Sequence, residues 1–479
     1  MQLSQLLMGL NYTLQGNGDV EVEALSCDTS TVRPGAMFFC LKGDNYDGHD
    51  FFRKALGDGA TVVVCQHKLD TKATQVVVDD TRAFMSLVAK RFFHNAVDKL
   101  KVICVVGTNG KTSTTYLLDA IFNKAGYNTG VIGSNGVFIN GHRYESKLTT
   151  PDPIELNYWF YQMYLNKVHF VFMELSAHAI YYKKMFGIVS DLTIFTNFSQ
   201  DHLDFFCDMK HYGQTKKSYF CKQSTKIAVV NNDDELGKEI AAQTNLPLVT
   251  YGCNKADVVA TDVQIKTDGI SYLLDLYGEK AKVDYSLCGK FNVYNTLAAS
   301  TVAKLYGIGI DKIVKGLQEV SYIEGRNETM FRQDGMRIVV DFAHTPDGIV
   351  NILSYLKSTC RGNLIVVFGC GGNRDKFKRP LMAKAVSQFA DFAVVTNDNP
   401  RFESPSSIAN DVVAGLSCSY KVVLNRSQAT QFALSVAKVD DTVAILGKGA
   451  EKYQEIKGRK YPYCDVDVVH KMLNKQGEQ

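Results

Sequence analysis

Short apolar runs separated by turn residues dominate the first hundred residues of the chain. The runs Ala36–Leu41, Thr61–Val64 and Gln75–Val78 lie between glycine, proline and aspartate residues, which is typical of buried strands. A helical spacing of apolar residues follows over Thr81–His94. The pattern predicts a small N-terminal α/β domain over residues 1–98.

A second pattern begins at residue 99, where strand-like runs alternate with helical stretches. The run Lys101–Val106 leads through a glycine turn into the helical stretch Thr112–Ala125. Further strands are predicted at Phe170–Met173, Leu192–Phe195 and Ile227–Val230. Alternation of this kind predicts a central domain over residues 99–324, built on a parallel sheet wrapped by helices.

The same alternation resumes after Gly325. Strands are predicted there at Arg337–Asp341, Leu364–Phe368, Ala393–Thr396 and Thr442–Leu446. This predicts a third, Rossmann-like domain over residues 325–479. The fold class is therefore predicted to be α/β with three domains, as 479 residues exceed what one ordinary core holds.

The amino-acid composition and net charge are typical of a globular protein and give no sign of nucleic-acid binding. Hydrophobic residues make up 46% and charged residues 22%, and a net charge of +3 gives no electrostatic footprint for nucleic acid. The segment Met1–Leu10 lacks the basic and apolar parts of a signal peptide, and no apolar stretch approaches a membrane span. Twelve cysteines occur singly, without paired spacing. We expect a cytoplasmic, monomeric protein that neither binds nucleic acid nor inserts into a membrane.

Gly107–Thr112 has the composition of a phosphate-binding loop, Gly-Thr-Asn-Gly-Lys-Thr, placed after a buried strand and at a helix start. Glycines let backbone amides face a polyphosphate, Lys111 would reach the terminal phosphates, and Thr112 would ligate magnesium. The first glycine of the general motif falls on Val105, so a plain strand–helix turn is the alternative. The predicted ATP-binding residues here are Gly107, Thr108, Asn109, Gly110, Lys111, Thr112 and Ser113.

Two short segments favour a competing interpretation as a GTPase. Asn254–Asp257 has the Asn-Lys-x-Asp form that reads guanine, and Asp234–Gly237 has the Asp-x-x-Gly form. Both motifs are short enough to occur by chance in a chain of this length. We interpret them as polar turns.

Polar residues follow two of the predicted strands of the central domain. Glu174 ends one strand, while Asn197 and the run Gln200–Asp204 follow the next. Ligands of open α/β folds bind at this carboxyl edge of the sheet. Carboxylate and imidazole groups beside a phosphate loop predict a second magnesium site, with capping or ion pairing as the alternative for Glu174 alone.

Taken together, the motifs are typical of one known family. They are Gly107–Thr112, Thr149–Pro151, Glu174–His178, Thr196–Asp204, Phe291–Asn295, Gly325–Arg326, Asp341–Asp347 and Gly447–Glu451. In this order they resemble the Mur ligases, which build the peptide of the peptidoglycan precursor, and specifically the branch that adds the third amino acid. The resemblance covers nearly the whole chain and is strongest from Val102 to Glu451.

The resemblance implies an ATP-dependent, magnesium-dependent ligase. Its γ-phosphate would activate the D-glutamate carboxylate of a UDP-muramyl dipeptide as an acyl phosphate, which the amine of diaminopimelate would then attack. It also implies that Lys216 is carbamylated by CO2, which would turn a cation into a magnesium ligand. The implied catalytic residues are Lys111, Glu174, His202 and Lys216, and the implied metal ligands are Thr112, Glu174, His202 and carbamylated Lys216.

The resemblance also assigns substrate contacts. Nucleotide and hinge contacts would come from Asn292, Asn295, Arg326 and Asp341, although turn capping is an equal alternative for Asn292. Contacts to the uridine nucleotide substrate would come from Thr29, Asp44, Asn45, Tyr46, Thr149, Thr150, Ser176, Tyr182 and Lys184.

Asp398-Asn399-Pro400-Arg401 is similar to the signature of family members that accept meso-diaminopimelate. This substrate has a second carboxylate that lysine lacks. The guanidinium of an arginine can bind such a carboxylate with two parallel hydrogen bonds. The implied amino-acid-binding residues are Arg374, Asp398, Asn399, Pro400, Arg401, Gly447 and Glu451. A surface ion pair is the alternative for Arg401, and lanthionine or lysine is the alternative substrate.

The chain departs from the family pattern at Ser30, Ala177, Lys184, Gln200 and Ala450. These positions lie mostly around substrate, so they bear on affinity more than on reaction type. Three further interpretations stay open: a folylpolyglutamate-synthetase-like ligase, a regulatory GTPase, and a ligase-like binding protein without chemistry.

Overall fold

A computed structural model describes residues 1–43 and 46–476. Asp44 and Asn45, predicted to contact the uridine nucleotide, lie outside the described residues. The first sheet has the order β1-β5-β4-β3-β2, with only β1 antiparallel to its neighbour. Its elements are α1 (Leu3–Leu7), β1 (Thr13–Gln15), β2 (Ala24–Ser26), β3 (Ala36–Phe39), α2 (Phe52–Gly57), β4 (Ala60–Cys65), β5 (Thr74–Val77) and α3 (Thr81–Phe92).

The central sheet has eleven strands. Its elements are β6 (Lys101–Val106), α4 (Lys111–Ala125), β7 (Thr129–Gly133), β8 (Gly136–Ile139), β9 (His142–Tyr144), α5 (Pro153–Leu165), β10 (Phe170–Glu174), α6 (Ala177–Tyr181), β11 (Leu192–Phe195), α7 (Leu203–Phe206), α8 (Met209–Lys217), β12 (Ala228–Asn231), α9 (Glu235–Gln243), β13 (Leu248–Gly252), β14 (Val258–Lys266), β15 (Gly269–Leu276), β16 (Glu279–Tyr285), α10 (Lys290–Leu305) and α11 (Ile310–Glu319).

The interior of this sheet is parallel and buried, as the continuous apolar runs predicted. β6 lies between β10 and β11, and the register aligns Glu174 with Val105 and Phe195 with Val106. Ile103 and Val105 of β6 join the core cluster that contains Leu117 and Ile121 of α4. The carboxyl ends of three neighbouring strands therefore meet beside the start of α4.

The predicted parallel sheet forms the interior of the central sheet, but both edges are antiparallel. The antiparallel strands β8 and β9 extend one edge, and β15 and β16 extend the other. Exposed positions recur along β14 and β16 because one face of these edge strands is solvated, so they lack the continuous apolar runs on which the prediction relied.

The third sheet has the order β17-β18-β22-β19-β20-β21 and is parallel except for β17. A separate hairpin pairs β23 with β24. The elements are β17 (Glu328–Phe331), β18 (Arg337–Asp341), α12 (Pro346–Thr359), β19 (Leu364–Phe368), α13 (Lys378–Ser387), β20 (Phe392–Val395), α14 (Pro405–Val413), β21 (Ser419–Val422), α15 (Arg426–Val436), β22 (Thr442–Leu446), β23 (Tyr453–Ile456), β24 (Arg459–Pro462) and α16 (Asp465–Gln476).

The chain is thus a three-domain α/β protein, as predicted. Within residues 1–43 and 46–476, no helix is both long and apolar enough to cross a membrane. The cysteines, all inside these ranges, are unpaired thiols.

Candidate functional site

The predicted phosphate loop joins β6 to α4 and is tied down by the neighbouring strand end. The Asn109 amide donates to Asn197 Oδ1 at 2.9 Å, and the Asn109 carbonyl accepts from Thr196 Oγ1 at 2.7 Å. The Thr108 amide donates to the carbonyl of Asn197 at 2.9 Å. Residues after β11 therefore fix the loop, which agrees with their predicted position at the same sheet edge.

Both glycines of the loop are required by its surroundings. A Cβ on Gly107 would overlap Thr196 Oγ1. Gly110 has φ of +84° and precedes α4, and a Cβ there would overlap Asn295 Oδ1. The loop is close-packed at a helix N-terminus, which is the geometry that an anion-binding loop requires.

Glu174 lies buried against the start of α4. Its Oε1 accepts from Thr112 Oγ1 at 2.9 Å and from the Ser134 amide at 2.8 Å. Arg326 Nη2 donates to the same Thr112 hydroxyl at 3.0 Å. The structure therefore brings a hydroxyl and a carboxylate together beneath the loop, and both are oxygen ligands that magnesium accepts.

Two lysine amines converge on one backbone oxygen. Lys111 Nζ and Lys216 Nζ lie 2.9 Å and 2.8 Å from the carbonyl oxygen of Gly107, and Lys216 is buried. Burial, reinforced by the charge of Lys111, holds the pKa of Lys216 well below its usual range. A neutral, buried amine is the form that reacts with CO2, so this environment fits a carbamate.

His202 opens the short helix α7 and pairs with its neighbour Asp201, Nε2 to Oδ2, at 3.3 Å. In the described part of the chain no hydrogen bond or ion pair joins it to Glu174, and no three His, Cys, Asp or Glu side chains converge as a metal cluster. Burial lowers the pKa of His202 to about 3, which leaves a neutral imidazole able to ligate a metal. Thr112 and Glu174 thus offer oxygen donors that fit magnesium and His202 offers a neutral nitrogen, whereas the amine of Lys216 would fit only as a carbamate.

Asp201 connects the central and third domains. Its carboxylate lies 3.0 Å from Lys378 Nζ and 3.5 Å from His344 Nε2. Burial would raise the pKa of Asp201, but Lys378 and the imidazole of His202 lower it well below its usual range. A second link joins Asn109 of the loop to Asp347 at 3.1 Å. From the sequence, Asp201 was expected only as part of the polar run Gln200–Asp204. The structure shows that it pairs with residues of the third domain.

The residues assigned to the nucleotide and hinge surround the same loop. Asn295 Nδ2 donates to Asn292 Oδ1 at 3.0 Å, and Asn292 Nδ2 donates to the Cys288 carbonyl at 2.9 Å. Asn292 thus bonds to Asn295 of α10 and to the turn that precedes this helix, which is consistent with the alternative of turn capping. Asp341 accepts from the Asn327 amide at 2.6 Å, and burial raises its pKa. Ser113 is buried in the first turn of α4.

Residues assigned to the uridine substrate occupy the surface between the first two domains. Thr150 Oγ1 donates to the Glu174 carbonyl at 2.8 Å and accepts from the Ser176 amide at 3.1 Å. Lys184 Nζ reaches the Thr150 carbonyl and Asp152, both at 2.9 Å. The Tyr182 ring lies under the Arg82 guanidinium, with 4.2 Å from Cζ to the centroid.

Three more of the described residues were assigned to the uridine substrate: Thr149, Thr29 and Tyr46. Thr149 Oγ1 lies 3.1 Å from Ser134 Oγ. Thr29 begins a 3₁₀ turn in which Asp28 accepts from the Ser30 amide. Tyr46 is exposed. Glu174 bonds to Thr112 and to Ser134, and Ser134 lies beside Thr149, so Glu174 and Ser134 link the phosphate loop to this surface.

The tetrapeptide Asp398–Arg401 borders a cluster of polar side chains in the third domain. Buried Lys448 donates to Asn399 Oδ1 at 3.0 Å and to Glu451 Oε2 at 2.6 Å, and a Cβ on Gly447 would lie 2.9 Å from Asp398 Oδ2. Pro400 accepts from the Glu403 amide at 3.0 Å. The structure brings the predicted residues together, and adds Lys448, whose place inside Gly447–Glu451 was the signal that could have identified it.

Arg374 and Arg401 have different partners near this cluster. Arg374 Nη1 lies 3.7 Å from Asp204 Oδ2 of the central domain, and its side chain is exposed. Arg401 lies between Gly372 and Glu455. Glu455 was not anticipated from sequence.

The GTPase-like segments have structural roles. Asp234 accepts from the Gly237 and Phe198 amides and caps α9. Asn254 donates to Asp233, and Asp257 accepts from the Thr250 amide. Both segments are therefore polar turns, as interpreted from the sequence.

Comparison with known families matches three models. They are the Mur ligase middle domain over residues 105–303, the Mur ligase glutamate ligase domain over 325–449, and the Mur ligase family catalytic domain over 21–93.

Comparison with individual proteins covers the full chain. UDP-N-acetylmuramoyl-L-alanyl-D-glutamate–2,6-diaminopimelate ligase 1 of Clostridium acetobutylicum is 36% identical over 99% of both chains. The ligase of this name from Geobacillus thermodenitrificans is 38% identical over 95% of this chain and 96% of its own. A solved structure under the same name has a TM-score of 0.70 and 28% identity, covering 100% of this chain and 99% of that one.

Proposed function

The chain belongs to the Mur ligase family, and we propose that it joins meso-diaminopimelate to UDP-N-acetylmuramoyl-L-alanyl-D-glutamate at the expense of ATP. The observation that carries this proposal is the convergence of Lys111, Thr112, Glu174 and Lys216 around one phosphate loop. Identity of 34–38% to eight ligases of this name, over nearly the full chain, supports the choice of reaction. The enzyme therefore acts in synthesis of the peptidoglycan precursor.

We assign ATP to the loop and to the residues around it. Gly107–Gly110 and the first turn of α4 would cradle the phosphates with backbone amides. Lys111 donates to carbonyls of its own loop, and it is free to exchange these for phosphate oxygens. Asn292, Asn295, Arg326 and Asp341 would complete the nucleotide site.

Thr112, Glu174, His202 and a carbamate on Lys216 are the proposed magnesium ligands. Magnesium, when bound, supplies positive charge against the negative charge that develops during phosphoryl transfer. The chain would position the carboxylate of the substrate near Lys111, so that its oxygen attacks the γ-phosphorus while the bond to the β-phosphate oxygen breaks and ADP leaves. The amine of diaminopimelate then attacks the carbonyl carbon of the acyl phosphate and gives up a proton, and phosphate leaves with the electrons of the broken C–O bond.

We assign the surface between the first two domains to the uridine nucleotide substrate. Thr29, Tyr46, Thr149, Thr150, Ser176, Tyr182 and Lys184 would contact it, with Asp44 and Asn45. Lys184 is buried and paired with Asp152, so it would present a single ammonium instead of an arginine fork. Two departures from the family pattern, Ser30 and Ala177, lie on this side of the molecule and leave the phosphate loop unchanged.

We assign the third domain to the incoming amino acid. Arg401 and Arg374 would receive the second carboxylate of diaminopimelate, while Asp398, Asn399, Pro400, Gly447 and Glu451 would hold its amino-acid head. An arginine fork left unpaired in this pocket would penalise lysine.

The proposed domains are residues 1–98 for the uridine substrate, 99–324 for ATP and 325–479 for the amino acid. We also propose that the protein works as a cytoplasmic monomer on small molecules, without nucleic acid or membrane insertion. Its net charge of +3 offers no large basic surface for a polyanion.

The test is phosphate release by the full-length protein with ATP, magnesium, UDP-muramyl dipeptide and one amino acid. We expect release with meso-diaminopimelate and a product heavier by one diaminopimelyl residue in the mass spectrum. Release that is equal with L-lysine, or greater with lanthionine, would contradict the substrate assignment. No release with any amino acid, despite nucleotide binding, would identify a binding protein without chemistry.

A further inference from the structure

The hairpin β23–β24 forms the support of the Asp398–Arg401 tetrapeptide. Gln454 Nε2 donates to the Asp398 carbonyl at 2.8 Å, and the Glu455 amide donates to Asn399 Oδ1 at 2.9 Å. Arg401 exchanges two backbone hydrogen bonds with this strand, to the Glu455 carbonyl at 3.1 Å and from the Lys457 amide at 2.7 Å. Since these bonds involve three hairpin residues, Gln454, Glu455 and Lys457, the hairpin sets the backbone position of Arg401.

Arg401 needs this support because its backbone is left-handed, with φ of +51°. A residue with a side chain adopts this conformation at a cost and keeps it where the surroundings over-determine it. The two backbone bonds and the parallel bridge to Ile456 provide that determination. The backbone is therefore held in one position, from which the side chain reaches Gly372 and Glu455.

The Arg401 side chain is held at two of its three nitrogens. Nη1 donates to the Gly372 carbonyl at 2.8 Å, and Nε lies 3.2 Å from Glu455 Oε2. Within the described residues Nη2 donates no hydrogen bond. A guanidinium carries five N–H donors, so both hydrogens of Nη2 and one of Nη1 remain for a ligand.

We propose that Glu455 is a positioning residue for the diaminopimelate site. The Glu455 carboxylate lies beside Nε and so blocks the edge of the guanidinium formed by Nε and Nη2. An incoming carboxylate is therefore directed to the Nη2 end of the guanidinium. Glu455 also removes the rotational freedom that Arg401 would otherwise lose when substrate binds, which is a cost of association. This inference rests on the proposed function, because it requires that Arg401 receives the substrate carboxylate.

The partial burial of the pair supports this role over that of a surface ion pair. Arg401 and Glu455 side chains are 21% and 25% exposed, whereas exposed pairs such as Lys238–Glu235 have side chains 51% and 86% exposed. Fully exposed pairs are weak because water screens them and both side chains lose freedom. Glu455 already has its backbone fixed through Asn399, so holding Arg401 restricts few additional bonds.

The experiment is steady-state kinetics of the full-length enzyme with diaminopimelate as the varied substrate. We expect Glu455→Ala to raise KM for diaminopimelate by about 3- to 10-fold, from the ordering cost of one long side chain. We expect kcat and KM for ATP to stay within about twofold. Glu455→Gln should restore part of the affinity, because its amide oxygen still places a partial negative charge beside Nε.

Glu235→Ala removes a carboxylate from an exposed pair on α9 and serves as the matched control, with unchanged constants expected. An unchanged KM in Glu455→Ala would overturn the proposal. So would a lowered KM, which would make Glu455 a competitor for Arg401. If Glu455→Ala lacks a thermal transition, Glu455→Asp withdraws the carboxylate by one methylene, and it must raise KM for the proposal to stand. Failure of the unaltered protein to use diaminopimelate would refute the proposed function, a result separate from these.

Discussion

Lys111 and Lys216 donate to the same oxygen, the carbonyl of Gly107, although 105 positions separate them in sequence. Two ammonium groups on one acceptor repel each other, and burial makes that repulsion stronger than in water. The arrangement favours loss of the proton from Lys216, whose pKa is lowered, and so favours its conversion to a carbamate. This pair is the basis of the first prediction.

Lys216→Ala should lower kcat by about 100-fold or more, which is typical when one charged group that stabilises phosphoryl transfer is removed. Activity of the unaltered enzyme should fall in CO2-free buffer and return with bicarbonate. Lys217→Ala is the matched control, as Lys217 is paired with Glu239 on the outer face of α8. Equal losses in the two variants, measured by phosphate release, would remove the special role of Lys216.

Arg401→Ala should lower kcat/KM for diaminopimelate by about 30- to 1000-fold, because truncating one partner of a buried charge pair costs about 2–4 kcal/mol. ATP affinity, measured by calorimetry, should be unchanged. Arg459→Ala removes an exposed arginine from the same hairpin and should have no effect on either quantity. Parallel loss of ATP binding in Arg401→Ala would place this residue outside the amino-acid pocket.

Gly107→Ala should abolish measurable ADP binding and destabilise the protein by about 1–3 kcal/mol, because the added methyl overlaps Thr196 Oγ1. The double variant Gly107→Ala, Thr196→Ala should recover part of the stability, since it removes the obstructing oxygen. Recovery would be partial because the Thr196 bond to the Asn109 carbonyl is lost. Urea denaturation measures the free energies. Additive destabilisation in the double variant would show that the two positions do not clash.

Lys378→Met should lower kcat by about 10-fold and expand the protein in small-angle scattering, because Lys378 pairs with Asp201 across the domain boundary. Asp201→Asn should act on the same link, so the double variant should lose less than the two single effects combined. Lys376→Met is the control, as its exposed amine lies 3.8 Å from Glu403 within the third domain. Independent effects of the two single changes would argue against a shared link.

Asp119→Asn should stabilise the protein more at pH 7 than at pH 4. Burial raises the pKa of Asp119, while Thr129 Oγ1 donates to it at 2.5 Å. Because the folded pKa lies above the unfolded one, the folded state binds more protons in between, and stability falls as the pH rises through this window. The neutral amide removes that fall. Thermal unfolding at both pH values tests the sign, and a variant that gains more at pH 4 would reverse it.

The sequence by itself determined the central strands and the phosphate loop. Five strands were predicted with their observed bounds: Lys101–Val106, Leu192–Phe195, Arg337–Asp341, Leu364–Phe368 and Thr442–Leu446. They could be read because a strand buried on both faces is a continuous apolar run. The loop could be read because its glycines, lysine and threonine are consecutive, so that local spacing carries its chemistry.

Only the tertiary structure decided which distant side chains meet. The antiparallel edges of the central sheet escaped prediction because solvated strands carry a weaker apolar pattern. Asp201 with Lys378, and Arg401 with Glu455, are separated by 177 and 54 positions, and no local spacing marks either pair. Such pairs form when packed elements exclude water and bring opposite charges within reach, and that geometry depends on the whole fold.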